Sequence, residues 1–218
     1  MAQPIQKVPV ELINQILSEL GSLRQLDTAI SSHRIFLDAF DINRRSVLFS
    51  IVTSKVPRVL LPFSLALLES TRAGAAQEEQ ARGILTRLNQ SVADPTDVQS
   101  RLRQLSASDF LFIYVQSMAV KSLRNNFTNR FIRQMTYRNM RIRHSAANVS
   151  SREIFRIDTA LFRFQLLVNL FCNNDALHAT CGPLFFHDIV PRATEQLMCT
   201  YFYLAANVEW GRRPFQYT

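Results

Sequence analysis

The chain carries 218 residues, 47% hydrophobic and 19% charged, with 16 phenylalanines and 5 tyrosines, an apolar mass that excludes a disordered chain and supports a sizeable core. Five glycines and eight prolines exclude a collagen-like or low-complexity polymer. The net charge is +8, and because Lys7, Lys55 and Lys121 are the only lysines, 22 of the 25 cations are arginines, whose planar forks suit carboxylates and phosphates and point to acidic protein or nucleic acid partners.

Helical periodicity dominates from the start. Val8, Leu12, Ile13, Ile16, Leu17 and Leu20 recur at spacings of three and four and predict a first helix. Pro9 is expected in its first turn and Gly21 at its stop. Ser22 with Gln25 has the capping-box form and opens a second helix carrying Leu23, Leu26, Ala29 and Ile30. Ser31 and Ser32 are expected to open a third, with Ile35, Phe36, Ala39 and Phe40. Helices continue over 43–54 and 57–70, and Pro62 is expected to kink or split the latter by removing a backbone donor.

Residues 71–77 read as a linker, followed by a helix over 78–89. Asp94-Pro95-Thr96-Asp97 is a helix start: a capping carboxylate, proline at the first position, and an acid near the positive helix end. Ser106 with Asp109 opens a helix over 110–123, and the chain then turns basic over 125–144. Ser150 with Glu153 forms another capping box before a helix over 153–171. Its Phe162, Leu166, Leu167 and Leu170 are expected in the core, with Arg152, Arg156, Arg163 and Asp158 marking a polar side, a solvated or interdomain salt-bridge face. A loop over 172–186, turning at Gly182-Pro183, leads to a last helix near 193–206. Period-two alternation is confined to 140–143. The expected fold is all-α.

Catalytic motifs are missing from this pattern: no P-loop, dinucleotide glycine fingerprint, nucleophile elbow or HExxH is present. The chain is therefore read as a non-enzyme without a cofactor. Cys172, His178, Cys181 and His187 follow one another at gaps of six, three and six. Zinc sites favour tight CxxC-type knuckles, so no metal is expected. Three cysteines do not make a secreted disulfide framework, and the N-terminal residues lack a signal-peptide pattern. The longest uncharged apolar stretches, 110–120 and 164–174, have eleven residues each, whereas a membrane span takes roughly 20. The expected location is cytoplasmic or nuclear, away from membranes.

Val8-Pro9-Val10-Glu11-Leu12-Ile13, then Ile16-Leu17 and Leu20, then Leu23 and Leu26, then residues 31–40 resemble the F-box. Val8 stands where leucine is usual, and His33-Arg34-Ile35-Phe36 replaces the usual cysteine, arginine and tryptophan run. Further segments are similar to the F-box-like proteins of filamentous fungi. They are Val56-Pro57 with Leu61-Pro62-Phe63-Ser64-Leu65-Ala66-Leu67-Leu68; Arg156 with Ala160-Leu161-Phe162-Arg163-Phe164, Leu167 and Asn169-Leu170-Phe171; and Phe185-Phe186 with Glu195-Gln196-Leu197-Met198-Cys199. Pro191-Arg192-Ala193 stands where that family has a tryptophan.

The resemblance implies an F-box-like three-helix unit over 1–42, packed on a larger irregular helical region over 43–218. It also implies a protein-interaction adaptor that links a protein substrate to a Skp/cullin ubiquitin ligase. Val8, Pro9, Leu12, Ile13, Ile16, Leu17 and Leu20 would then meet the Skp-type adaptor. Two other readings stand beside it. One is a helical nucleic-acid-associated protein using the basic segment 124–143, whose Arg130, Arg133, Arg138, Arg141 and Arg143 interleave with Phe127, Phe131, Tyr137 and Met140. The other is a scaffold that has lost adaptor binding.

Overall fold

The computed structural model describes residues 8–73, 78–137, 149–172 and 175–187, with side chains over the same ranges except at 95, 130–137 and 187. Among the described residues the protein is all-α, with nine α-helices and no strand. No single helix among them is long and apolar enough to cross a membrane.

The chain divides into two compact units. One takes the chain up to Leu61 together with Asp94–Ser117, and the other takes Pro62–Ala93 and the chain from Met118. The expected boundary between residues 42 and 43 falls at a break in helical backbone at Asn43, inside the first unit.

In the first unit, α1 (Val10–Ser18) begins after Pro9, whose carbonyl accepts from the Leu12 and Ile13 amides. Helix α2 (Leu23–Ser32) is capped by Ser22, whose hydroxyl accepts from the Gln25 amide at 3.2 Å. The Gln25 side chain returns to the Gly21 amide at 2.6 Å, one residue earlier than in a standard capping box. Ser31 and Ser32 do not open the third helix; they finish α2, where the Ser32 hydroxyl donates to the Ala29 carbonyl. His33 opens α3 (Arg34–Lys55) instead, its Nδ1 accepting from the Ile35 amide at 3.1 Å.

The expected third and fourth helices meet end to end at Asn43, whose backbone leaves the helical region (φ −121°, ψ 24°), and the two segments are together labelled α3. Apolar residues on both sides of the kink, Ala39, Phe40, Val47, Leu48, Ile51 and Val52, are all buried, so both segments belong to the core, and asparagine stands at a helix end, where it is favoured. Helices α1 and α2 both pack on α3. Val56 and Pro57 end it, since the residue before proline is pushed to extended backbone.

Helix α4 (Leu61–Ala73) follows a single 3-10 turn. The expected helix over 57–70 is thus divided, its 3-10 turn giving way to α4 at the residue before Pro62. The proline lies in the first turn, where its missing donor would have had no intrahelical partner. The first half of the expected linker also belongs to α4, while 74–77 lie outside the described residues. Helix α5 (Glu78–Ala93) runs four residues beyond the expected end.

Asp94 caps α6 (Pro95–Leu102), its carboxylate accepting from the Thr96 amide at 2.9 Å and the Thr96 hydroxyl at 2.7 Å. Those bonds hold the Asp94 carboxyl below the ordinary aspartate range. Ser106 and Asp109 exchange bonds at the start of α7 (Ala107–Tyr137), which continues past the expected end at 123.

In the second unit, the capping box at Ser150 and Glu153 starts α8 (Ser151–Phe171). Phe162, Leu166 and Leu170 are buried as expected, but Leu167 is only half-buried. Of the two roles expected for Asp158, solvated or salt-bridged, it takes the second, and it is buried. The segment expected to be a loop is largely α9 (Asp175–His187), with Pro183 inside it. Leu177, Cys181 and Phe185, spaced by four, are buried there, and α9 packs on α5 and α8. Burial of that stripe outweighs the turn propensity of Gly182-Pro183. The helix expected near 193–206 and the alternation at 140–143 lie outside the described residues.

Candidate protein-interaction surface

The candidate surface begins with the geometry of α1. At about 100° per residue, Leu12, Ile16, Ile13 and Leu17 spread over an arc of about 140° around the helix. Only part of that arc is covered. Ile13 is 2% exposed and Leu17 0%, while Leu12 and Ile16 are each 50% exposed. Val8 (37%) and Pro9 are exposed on the approach to the helix, and Leu20 beyond its end is half-buried.

The seven residues thus fall into two sets. Ile13 and Leu17 are structural, holding α1 in the first unit. Val8, Pro9, Leu12 and Ile16 form an apolar flank open to solvent. Ser50 of α3 donates its hydroxyl to the Ser18 carbonyl at 3.0 Å, fixing the C-terminal end of α1. The pattern of apolar residues does not reveal that tie, because hydroxyl and carbonyl lie thirty-two residues apart. The exposed pair are four residues apart and so stand one above the other on the helix. Such a flank can take up another apolar surface with little rearrangement of α1.

The basic segment gives less. Arg124, at its start, is committed: Nη1 donates to Asp158 Oδ2 at 2.7 Å, with both side chains largely buried. Burial pushes the Asp158 carboxyl above its ordinary value, against the pull of Arg124 and Lys121. The other carboxylate oxygen, Oδ1, is buried without a hydrogen-bond partner. Arg130 and Arg133 lie on the last turns of α7, where side chains are not described, and Arg138, Arg141 and Arg143 lie outside the described residues.

The cysteine and histidine residues are spread by helix α9. Cys181 is buried with its thiol donating towards the Glu78 carbonyl at 3.8 Å, whereas Cys172 is exposed. The exposed His178 ring meets Phe171 edge-on at 5.6 Å. Among the described residues no three histidine, cysteine or acidic side chains gather in a way that could hold a metal. No protein-family model, curated protein or solved structure matches this chain, so the surface is read from its own residues.

Proposed function

We propose that the protein is a non-enzymatic, F-box-like adaptor whose α1 flank binds a Skp-type protein and so links a substrate protein to a cullin ubiquitin ligase. The observation that carries this reading is the half-exposure of Leu12 and Ile16 beside the fully buried Leu17. A helix serving only its own core would leave its longer apolar side chains inside. Here two of them stand in water on a helix that is itself firmly anchored, which is what a preformed docking edge requires. The resemblance of residues 8–40 to the F-box supplies the kind of partner.

The nucleic acid reading gains no such support, since Arg124 is already engaged by Asp158. The test is co-purification of the full chain with a recombinant Skp-type adaptor. The adaptor is expected to be retained by the native protein and lost with Ile16→Asp, while the helical spectrum stays unchanged. Retention by that variant, or no retention by the native chain, would remove the reading.

A further inference from the structure

The first unit carries a second surface, chemically unlike the α1 flank. Where α3 bends at Asn43, an open basin of about 590 Å³ forms between α3, the end of α6 and the start of α7. Its lining contains two arginines and no carboxylate. Arg45 Nε donates to the Leu105 carbonyl at 2.7 Å, which fixes the guanidinium plane. Its two terminal nitrogens meet no acceptor among the described residues, and neither does the side chain of Arg103.

Two other arginines of this unit, Arg34 and Arg44, pair with Asp38 and Asp41. The rest of the lining combines the polar Asn43 and Ser46 with the apolar Ile42, Phe49 and Phe110. Phe49 meets Phe110 edge-on at 5.7 Å, and Ile42 at the rim is 72% exposed, the most exposed large hydrophobic side chain among the described residues.

We propose that this basin docks an acidic peptide segment of a partner protein, with a glutamate or aspartate carboxylate held by Arg45 and Arg103 and an adjacent apolar side chain resting on Ile42. A guanidinium anchored through Nε still offers the end-on edge of its fork to a carboxylate, so binding needs little further ordering of Arg45. The charge is complementary, and the apolar rim supplies the contact a bare anion would not use. Nucleic acid fits less well. Phe110 is fully buried against Phe49, so the basin presents no open pair of ring faces for bases, and two cations neutralise few phosphates. That this segment belongs to a ubiquitination substrate rests on the adaptor reading; the binding itself does not.

The experiment is fluorescence polarisation with the full chain and a labelled peptide alternating glutamate and leucine. Controls are the same peptide with glutamine for glutamate, and a labelled single-stranded oligonucleotide. The glutamate peptide is expected to bind, with about tenfold loss for the glutamine peptide and about tenfold loss for Arg103→Gln. Arg45→Gln should act alike, and because it also removes the bond to Leu105, Arg103→Gln is the variant that decides if Arg45→Gln fails to fold. Ile42→Ser should weaken the glutamate peptide by a smaller factor. Leu12→Asp should leave peptide affinity unchanged. Equal affinity for the two peptides, no effect of Arg103→Gln, or tighter oligonucleotide binding that Arg103→Gln removes would overturn the proposal. Peptide binding without adaptor capture would support the basin and remove the adaptor reading, and capture without peptide binding would do the reverse.

Discussion

Helices α1 and α8 have similar apolar periodicity and opposite fates. On α1, Leu12 and Ile16 stand half in water beside the buried Ile13 and Leu17. On α8, Phe162, Leu166 and Leu170 are buried, and so is a charged residue, Asp158. The difference lies in coverage. Helix α8 is tied on several sides: Arg124 of α7 holds Asp158, Asn169 donates to Ser70 and Thr71 of α4, and Arg163 lies over the Phe63 ring at 5.5 Å. Helix α1 packs chiefly on α3. An apolar arc wider than the surface opposing it leaves a flank, and that flank is where binding chemistry becomes available.

The contrast breaks first where α8 is most enclosed. Phe162→Ala should cost about 3–5 kcal/mol of unfolding free energy in urea titrations. Leu167→Ala, at a half-buried position, should cost less than half of what Leu166→Ala costs. Equal losses at 166 and 167 would show that α8 is covered on a different side.

The Arg124–Asp158 pair comes next. Arg124→Met strands a buried carboxylate and should cost about 3 kcal/mol, whereas the double change with Asp158→Leu should recover most of the loss. A double variant as unstable as the single one would mean that packing, not charge, dominates there.

Smaller still is the cap of α8. Ser150→Ala removes the hydroxyl that accepts from the Glu153 amide and should cost about 1 kcal/mol by thermal unfolding.

The pH dependence sharpens the same comparison. Burial raises the Asp158 carboxyl above its ordinary value near 3.8, so the folded protein binds this proton more tightly than the unfolded chain. Its contribution to stability is fully present below the ordinary value and is lost as pH rises through the raised one. Asp158→Asn should therefore flatten the fall of stability with pH in that interval. An unchanged profile would place the titration elsewhere.

Local signals in the sequence were the most legible. The caps at Ser22, Asp94, Ser106 and Ser150 all start helices, because each depends on residues two or three positions apart. Local rules failed where tertiary packing overrides them. Pro183 sits within α9 because Leu177, Cys181 and Phe185 have a buried face to fill. The burial of Asp158 was illegible for another reason: its partner Arg124 lies 34 residues away.

The candidate surface was legible only in composition. Periodicity identified Leu12, Ile13, Ile16 and Leu17 of α1, but which of them face α3 depends on the breadth of that contact. The basin at Arg45 and Arg103 left no local trace, since it brings together residues from three helical segments.

The proposed docking edge on α1 must be told apart from a loosely packed part of the core. It is tested most directly by titrating a purified Skp-type adaptor into the full chain and into Leu12→Asp, with melting temperatures measured on both. A docking edge should give binding by the native protein, about a hundredfold weaker binding by the variant, and a stability change within about 0.5 kcal/mol, as for an exposed position. Undiminished binding by Leu12→Asp, or a variant that loses several kcal/mol of stability, would contradict it.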